Sequence, residues 1–189
     1  MKHPTVRRSD RPTPPTSPTS PTTPTAASVR VGYVDVLVLR GQGDDLEVLL
    51  LRRGPQGRSP GSWEAVHANI DPGETPVQTA LRELTEETGL RPLKFYNLSR
   101  VESFYRHKTN EVILIPVFAA FVPRDAQVVL SEEHDEYEWL RPQAARQRVT
   151  WPRIRRTIGF AMRLVGLGDA GVVEDVLRVN GNGSAEGPR

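Results

Sequence analysis

Runs of β-branched and other apolar residues recur along the middle of the chain and predict strands. The runs at 31–39 and 46–51 flank the turn signal Gly41-Gln42-Gly43-Asp44, so they predict a hairpin. Similar patterns predict further strands at 63–66, 100–105, 112–122 and 136–140. Together these strands predict a mixed sheet.

A first helix is predicted at 76–88, and the sequence specifies both of its ends. Thr75 is placed to cap the N-terminus, Pro76 suits the first helical position, and Gln78 completes a capping box. Gly89 suits the left-handed stop after the last turn, which makes it a structural support for the helix. The expected core-facing stripe comprises Val77, Ala80, Leu81, Leu84 and Thr88.

A second, amphipathic helix is predicted at 152–165. Most of its arginines fall away from the apolar positions, which recur at helical spacing. These apolar positions are Ile154, Ile158, Ala161, Met162 and Val165. Helices that follow and flank a mixed sheet predict one α/β or α+β sandwich domain over residues 29–179.

The two ends of the chain differ in composition from this domain. Residues 1–28 are rich in Pro, Thr and Ser and carry almost no large apolar side chains. Folding them would not recover an ordering entropy of roughly 1–2 kcal/mol per residue, so we expect a disordered tail. A polyproline ligand for another protein is the alternative interpretation. Residues 180–189 are similarly expected to form a flexible tail.

Charge and cysteine content narrow the classes of partner. The chain has 25 basic and 23 acidic side chains, and this near balance does not indicate binding to nucleic acid. Binding of nucleic acid by the basic C-terminal helix is the alternative interpretation. The absence of cysteines is compatible with a reducing cytosol, so we expect a cytoplasmic protein. No run of about 18 apolar residues predicts a membrane span. A homodimer is left open.

Acidic residues are concentrated on one face of the first helix. Glu83, Glu86 and Glu87 stand at i, i+3 and i+4, so their carboxylates converge and repel one another. A divalent cation would remove this conflict, and all-oxygen ligands select Mg2+ or Mn2+ over zinc. Magnesium in turn indicates a phosphate-bearing substrate. The alternative is a solvated helix face with no ligand.

Residues 68–90, ANIDPGETPVQTALRELTEETGL, resemble the Nudix box. That pattern is G, five residues, E, seven residues, then R-E-U-x-E-E-x-G-U, where U is apolar, and eight of its nine specified positions match. Ala68 replaces the opening glycine, which matters if the backbone there needs a positive φ. The matching residues are Glu74, Arg82, Glu83, Leu84, Glu86, Glu87, Gly89 and Leu90.

The resemblance implies a Nudix-type α/β/α sandwich with a mixed sheet and a carboxylate-bearing catalytic helix. It also implies that Arg82 and Glu74 pair to orient the helix and its loop, and that the carbonyl of His67, beside Ala68, ligates the metal. His67 is also selected as a substrate-binding residue. The metal ligands and catalytic groups implied by the box are Glu83, Glu86 and Glu87.

Two segments outside the box resemble particular branches of that family. Residues 61–66, Gly-Ser-Trp-Glu-Ala-Val, resemble the branch that acts on dihydroneopterin triphosphate and deoxynucleoside triphosphates. Residues 131–134, Ser-Glu-Glu-His, resemble the same branch and also the diadenosine polyphosphate hydrolases. By that resemblance Glu133 serves as a metal ligand or base. The alternative for Glu133 is a charged residue in a solvated turn.

Candidate substrate-binding residues lie near the predicted strand ends. Arg52 and Arg53 end the second strand, where a guanidinium grips a terminal phosphate through paired hydrogen bonds, and we select Arg52. Trp63 and Tyr105 are selected among the aromatic residues for stacking on a purine or pterin. The alternatives are an edge-strand charge for the arginine and core packing for the aromatic rings.

The sequence therefore predicts Mg2+-dependent hydrolysis of a phosphoanhydride bond in a nucleoside or pterin triphosphate, which releases a monophosphate and pyrophosphate. Here a glutamate activates water while cations neutralise the phosphate oxygens. Hydrolysis of diadenosine polyphosphates or ADP-ribose is the alternative within enzymes. A binding module that senses nucleotides without turnover is the alternative outside enzymes; Ala68 and the tail favour it, and the intact glutamates oppose it.

Overall fold

The computed structural model describes residues 26–179 as eight strands and four α-helices. The strands are β1 (Ser28–Val31), β2 (Tyr33–Arg40), β3 (Glu47–Arg53), β4 (Trp63–Glu64), β5 (Val66–Asn69), β6 (Lys94–Arg106), β7 (Glu111–Phe121) and β8 (His134–Leu140). The helices are α1 (Pro76–Thr88), α2 (Pro142–Arg148), α3 (Pro152–Val165) and α4 (Glu174–Leu177). Within residues 26–179 no helix combines the length and apolarity needed to cross a membrane.

All eight strands belong to one mixed sheet. Strand β7 pairs in parallel with β1 and β2 and antiparallel with β6. Strand β2 also pairs antiparallel with β5 through its first half and with β3 through its last two residues. Strand β3 continues the sheet by pairing antiparallel with β4 and β8. The predicted mixed sheet and the predicted β2–β3 hairpin are therefore present.

Both faces of the sheet are covered, which produces three layers. Because side chains alternate along a strand, β2 sends Leu37 and Leu39 into a core shared with α2 and α3. Its Val36 and Val38 pack on the opposite face with Ala80 and Leu84 of α1, and the loop that contains Val128 and Leu130 completes the cover of that face. The arrangement is an α/β/α sandwich, and it leaves the exposed side of α1 free to carry polar chemistry.

Several predicted boundaries differ from the observed ones. The predicted strand 31–39 is divided at Gly32, and the strand predicted at 63–66 is divided into β4 and β5 at Ala65. Strand β6 begins at Lys94 rather than near 100, because pairing with β7 extends along most of its length. Of the predicted tails, 1–28 lies almost entirely outside the described residues, with Ser28 already paired in β1, and 180–189 lies wholly outside them.

Candidate active site

Helix α1 is fixed at both ends by local hydrogen bonds. The Thr75 hydroxyl accepts from the Gln78 backbone N–H at 3.3 Å, and the Gln78 side chain accepts from the Thr75 N–H at 2.9 Å. At the other end Gly89 adopts φ 69°, and a Cβ there would lie 3.1 Å from Val129 Cβ. Because both ends are set, the direction in which each glutamate points is set as well.

The buried face of α1 is rotated slightly from the predicted stripe. Ala80, Leu84 and Thr88 are buried as expected, whereas Val77 and Leu81 are only partly buried. Glu87 is buried instead, with 5% of its surface exposed. The helix therefore directs one carboxylate inward, toward the sheet.

Arg82 is the hub of an ion-pair network on α1. Its Nε and Nη2 donate to the two carboxylate oxygens of Glu74 at 2.8 and 2.9 Å, which is the pairing implied by the family resemblance. Its Nη1 donates to Glu83 at 2.8 Å and to Glu86 at 2.9 Å. The guanidinium thus ties the loop before α1 to two of the three box glutamates and holds them in place.

The Glu74–Arg82 pair predicts a pH-dependent contribution to stability. Hydrogen bonds from Arg82 and Thr79 lower the pKa of Glu74 from 4.5 to about 2. A carboxylate with a lowered pKa stabilises the fold above its unfolded-state pKa and loses that contribution as pH falls toward 2. We expect Glu74→Gln to lower Tm at pH 7, with the difference from wild type shrinking below about pH 4.5.

Thermal unfolding followed by circular dichroism between pH 7 and pH 3 measures this difference. Glu132→Gln, which changes an exposed glutamate, is the matched control. A Tm difference for Glu74→Gln that stays constant over this range would contradict the assignment.

Glu87 and His134 form a buried polar pair beneath the helix. Glu87 Oε2 lies 3.9 Å from His134 Nδ1, and His134 Nε2 lies 3.5 Å from Glu64 Oε1. Glu87 Oε2 and both His134 ring nitrogens are buried without a hydrogen-bond partner. Burial, together with the carboxylates of Glu83, Glu64 and Glu133, raises the pKa of Glu87 well above its usual range.

Two loop contacts bring Glu133 to the same place. The backbone N–H groups of Val129 and Ser131 donate to the carbonyls of Thr88 and Glu87 at 2.8 and 3.2 Å, which docks the segment before β8 against the end of α1. Glu133 follows directly, lines the same cavity as Glu83 and Glu87, and pairs with Arg53 at 2.5 Å.

The predicted metal ligands differ in their surroundings. Glu83 is mostly buried, and its pKa is raised by burial, against the opposing effect of Arg82. Glu86 is exposed and bonded to Arg82, so it lies at the rim. As the side chains of residues 26–179 stand, no three acidic or histidine groups form a finished metal site, because guanidinium groups hold Glu83, Glu86 and Glu133.

The carboxylates nevertheless fit a divalent cation. Glu87 Oε2 is buried without a donor, and the carboxylates of Glu83 and Glu133 face it. A hard cation bound among these oxygens would supply the missing partner and relieve the repulsion between them. Glu83, Glu87 and Glu133 are the residues that would hold it, whereas Glu86, also predicted as a ligand, is not among the residues that line this cavity.

The structure corrects the choice of Arg52 as the phosphate-binding arginine. Leu49 and Leu51 of β3 face α1, and alternation along the strand places Arg53 on the same side, beside the carboxylates. The pairing of β3 with β8 is irregular between residues 52 and 53. Arg53 lines both cavities at this site and binds Glu64 and Glu133. Arg52 instead pairs with Asp135 and Glu136 at the surface.

The two aromatic choices are also corrected. Trp63 packs in the core beneath α2 and α3, with the Arg148 guanidinium over its ring. Tyr105 is 57% exposed and donates its hydroxyl to Asn110. The aromatic side chains that line the cavity beside the carboxylates are Phe104, next to Tyr105 on β6, and Trp151, the residue before α3.

His67 and Ala68, at the start of the box, lie in β5. His67 lines both cavities, its Nδ1 is 2.7 Å from Asp35 Oδ1, and its ring stacks on Tyr33 with centroids 4.9 Å apart. Ala68 pairs with Val34 inside β5, and the non-glycine residues of positive φ within 26–179 are Ser59, Ser99 and Asn110. The alanine therefore stands in ordinary strand backbone, and its methyl group packs in the core.

Two adjoining cavities make up the site. One, of about 450 Å³, is lined by the carboxylates of Glu83, Glu87 and Glu133. The other, of about 340 Å³, is lined by Phe104, Trp151 and Arg153 among others. They share Arg53, Arg58 and His67. A ligand spanning both would place anionic groups beside the carboxylates and arginines and a flat ring beside the aromatic residues.

Several residues of this site were not selected from the sequence, among them Asp35, Arg53, Arg58 and Arg153. Arg53 was considered and set aside in favour of its neighbour. A signal existed for Asp35, because an acidic residue inside an otherwise apolar strand is unusual and indicates a buried partner. Arg58 and Arg153 carried no local signal, since arginines are frequent along this chain.

Comparison with known proteins identifies the family of this domain. The NUDIX domain family model matches residues 29–158. An octanoyltransferase of Myxococcus xanthus is 38% identical over 133 residues, covering 66% of this chain but only 35% of that protein. The asymmetrical bis(5'-nucleosyl)-tetraphosphatase of Rattus norvegicus is 32% identical over 98 residues, covering 51% of this chain and 67% of that protein.

Among solved structures, the Escherichia coli dihydroneopterin triphosphate pyrophosphohydrolase superposes with a TM-score of 0.53 and 26% identity. The superposition covers 66% of this chain and 91% of that one. The family match spans the sheet, the carboxylate helix and the start of α3, which are the elements that build the two cavities. The chain belongs to the NUDIX domain family.

Proposed function

We propose that the protein hydrolyses a phosphoanhydride bond of a nucleoside or pterin triphosphate in the presence of Mg2+, with Mn2+ able to replace it. The products are a monophosphate and pyrophosphate. The observation that carries this proposal is the cavity in which Glu83, Glu87 and Glu133 face Arg53 and Arg58. Such a cavity offers cation ligands and phosphate-binding cations within a single site.

The residues divide the chemistry as follows. Arg53 and Arg58 bind and orient the phosphate oxygens, since guanidinium groups match phosphate geometry. Mg2+ bound among the carboxylates would neutralise the phosphate oxygens and lower the pKa of water. Glu87 or Glu133 accepts the proton of the attacking water. A phosphorus–oxygen bond of the anhydride breaks as the new bond to the water oxygen forms, and pyrophosphate departs.

Helix α1 contributes mainly by fixing positions. The Arg82–Glu74 pair joins the loop to the helix, and the buried face of α1 sets the depth of Glu87. Phosphoryl transfer depends largely on positioning and on charge stabilisation, so rigid carboxylates serve it well. Arg82 is a positioning residue in this account.

A second candidate substrate is a dinucleoside tetraphosphate. The observation that favours it is the 32% identity to the rat bis(5'-nucleosyl)-tetraphosphatase over 98 residues. Its phosphate chain would occupy the same carboxylate cavity, with one base in the 340 Å³ cavity and the second base outside it. The two candidates share their phosphate chemistry and differ in what lies beyond the phosphates.

A substrate panel separates these candidates. Purified protein with Mg2+ would be incubated with GTP, ATP, deoxynucleoside triphosphates, dihydroneopterin triphosphate, diadenosine tetraphosphate and ADP-ribose, and the products would be resolved by chromatography. We expect the highest kcat/KM for a triphosphate, with pyrophosphate among the products, and no turnover in EDTA. A higher kcat/KM for diadenosine tetraphosphate would replace the first candidate by the second, and turnover of ADP-ribose alone would contradict both.

A further inference from the structure

We propose that the protein forms a two-fold homodimer through one apolar face of its sheet, where β1, β7 and β6 lie side by side. The residues that form this apolar face are Val29, Val31, Val101, Tyr105, Val112 and Leu114. The inference is independent of the proposed function, because none of these residues lines either cavity of the candidate active site.

The pairing of the three strands places these side chains on one side of the sheet. Val112 of β7 pairs with Val29 of β1 and with Tyr105 of β6, and paired residues point to the same side. Leu114 lies two positions further along β7, so it points to that side as well, and it pairs with Val31. The apolar face is therefore continuous across the three strands.

Charged side chains are absent from this side of the described strand segments 29–31, 101–105 and 112–116. Val101 extends the apolar face opposite Pro116, and Ser103 is its polar position. The charged residues of these strands alternate to the other side of the sheet, where Arg30 donates to Glu111 at 2.9 Å. A sheet face that meets only water is typically polar, so this pattern indicates a face that is covered.

The described part of the chain leaves the apolar face open. The exposed fractions are 63% for Val29, 46% for Val31, 59% for Val101 and 57% for Tyr105. No core cluster formed by residues 26–179 includes a residue of the face. The Tyr105 hydroxyl bonds to Asn110, so its ring is presented as an apolar surface, and tyrosine is enriched at protein interfaces.

A second copy of the chain is the occupant that size and chemistry favour. The exposed fractions correspond to on the order of 400 Å² of accessible apolar surface per copy, so a two-fold contact would bury about 800 Å² of it. The polar residues around the face bring the total toward the roughly 1,200–2,000 Å² of stable interfaces. A two-fold contact needs a self-complementary patch, and an uncharged face opposes no like charges when it meets its own copy.

The mass of the full-length protein in solution tests the proposal. Sedimentation equilibrium at about 100 µM exceeds the micromolar dissociation constants of weak interfaces of this size. We expect twice the 21.1 kDa of one chain. Val31→Glu places a carboxylate on the apolar face of each copy and should raise the dissociation constant of the dimer by at least about 10-fold. Val172→Glu, the same change at a fully exposed residue outside the face, should leave the mass unchanged.

Cross-linking gives a second readout that adds no charge to the apolar face. The chain has no cysteine, so Val101→Cys supplies a single thiol in each copy. A bismaleimide that spans the width of three strands, about 10–15 Å, should join two such copies but not two copies of Val172→Cys.

A monomer at the concentration of the sedimentation experiment overturns the proposal and leaves the face to residues 1–25 or to a different protein. A dimer that persists unchanged in folded Val31→Glu and Val101→Glu variants also overturns it, as does equal cross-linking of the two cysteine variants.

Discussion

Replacement of Glu87 by glutamine is expected to reduce kcat/KM by on the order of 10²- to 10⁴-fold, the range associated with a positioned acid or base. Glu87 is the buried carboxylate at the centre of the site, with an unpartnered oxygen and the carboxylates of Glu83, Glu64 and Glu133 around it. Glutamine keeps the shape of the side chain and removes the charge that binds the cation or accepts the proton.

The same substitution is expected to leave the metal-free fold at least as stable as wild type, because it removes a carboxylate from a buried like-charged cluster. Steady-state kinetics with Mg2+ and thermal unfolding in EDTA measure the two effects. Glu132→Gln, a change at an exposed glutamate that lines neither cavity, is the matched control and should keep wild-type activity. A Glu87→Gln protein with activity within threefold of wild type would remove Glu87 from the catalytic site.

Replacement of Arg53 by methionine is expected to lower kcat/KM by about 10- to 100-fold. A hydrogen bond to a charged group contributes about 1.5–3 kcal/mol, and Arg53 lines both cavities where the phosphates would lie. Arg52→Met is the matched control one residue away. Arg52 pairs with Asp135 and Glu136 at the surface, and exposed pairs contribute about 0–1 kcal/mol, so its activity should stay close to wild type.

The position of Arg53 also requires a check on folding. Its Nε lies 3.2 Å from Glu64 Oε1 and its Nη1 lies 2.5 Å from Glu133 Oε2, so methionine leaves two carboxylates without a partner. Activity is therefore compared only after the Tm of each variant is known, and Arg53→Lys retains the charge for a third comparison. A larger loss in Arg52→Met than in Arg53→Met would restore the assignment made from the sequence.

Helix α1 is the part of the molecule that local sequence determines. Its capping box and its closing glycine depend on residues within a few positions of one another, and the structure places both as expected. The burial of Glu87 was not predicted, because the helical spacing of apolar residues along α1 does not fix how far the helix is rotated about its own axis when it packs on the sheet.

The substrate side of the site depends on contacts between distant segments. Arg153 bonds to Asp35, which lies 118 residues away in the sequence, and no local sequence pattern predicts that pairing. Arg52 and Arg53 point to opposite faces of the sheet, because successive side chains of a strand alternate. Which of them faces the carboxylates depends on the register of β3, whose pairing with β8 is irregular between these two residues. Trp63 was likewise misassigned because its strand turns it toward α2 and α3.

Ala68 illustrates a sequence departure that the structure explains. Replacing the box glycine by alanine would strain the backbone only if residue 68 had a positive φ. Ala68 instead lies in strand backbone paired with Val34. The alanine methyl adds to the core without straining the chain. The departure that favoured a binding module without turnover therefore carries no structural penalty for catalysis.

The most direct test of the account is turnover of the preferred triphosphate in H2(18)O, with Mg2+ and with EDTA. We expect that one 18O enters one phosphate product for each bond cleaved, that pyrophosphate is released, and that EDTA abolishes incorporation. In Glu87→Gln we expect the rate of incorporation to fall by on the order of 10²- to 10⁴-fold. Tight nucleotide binding without incorporation, or incorporation that persists in EDTA, would contradict the claim that the α1 carboxylates direct water onto a phosphoanhydride.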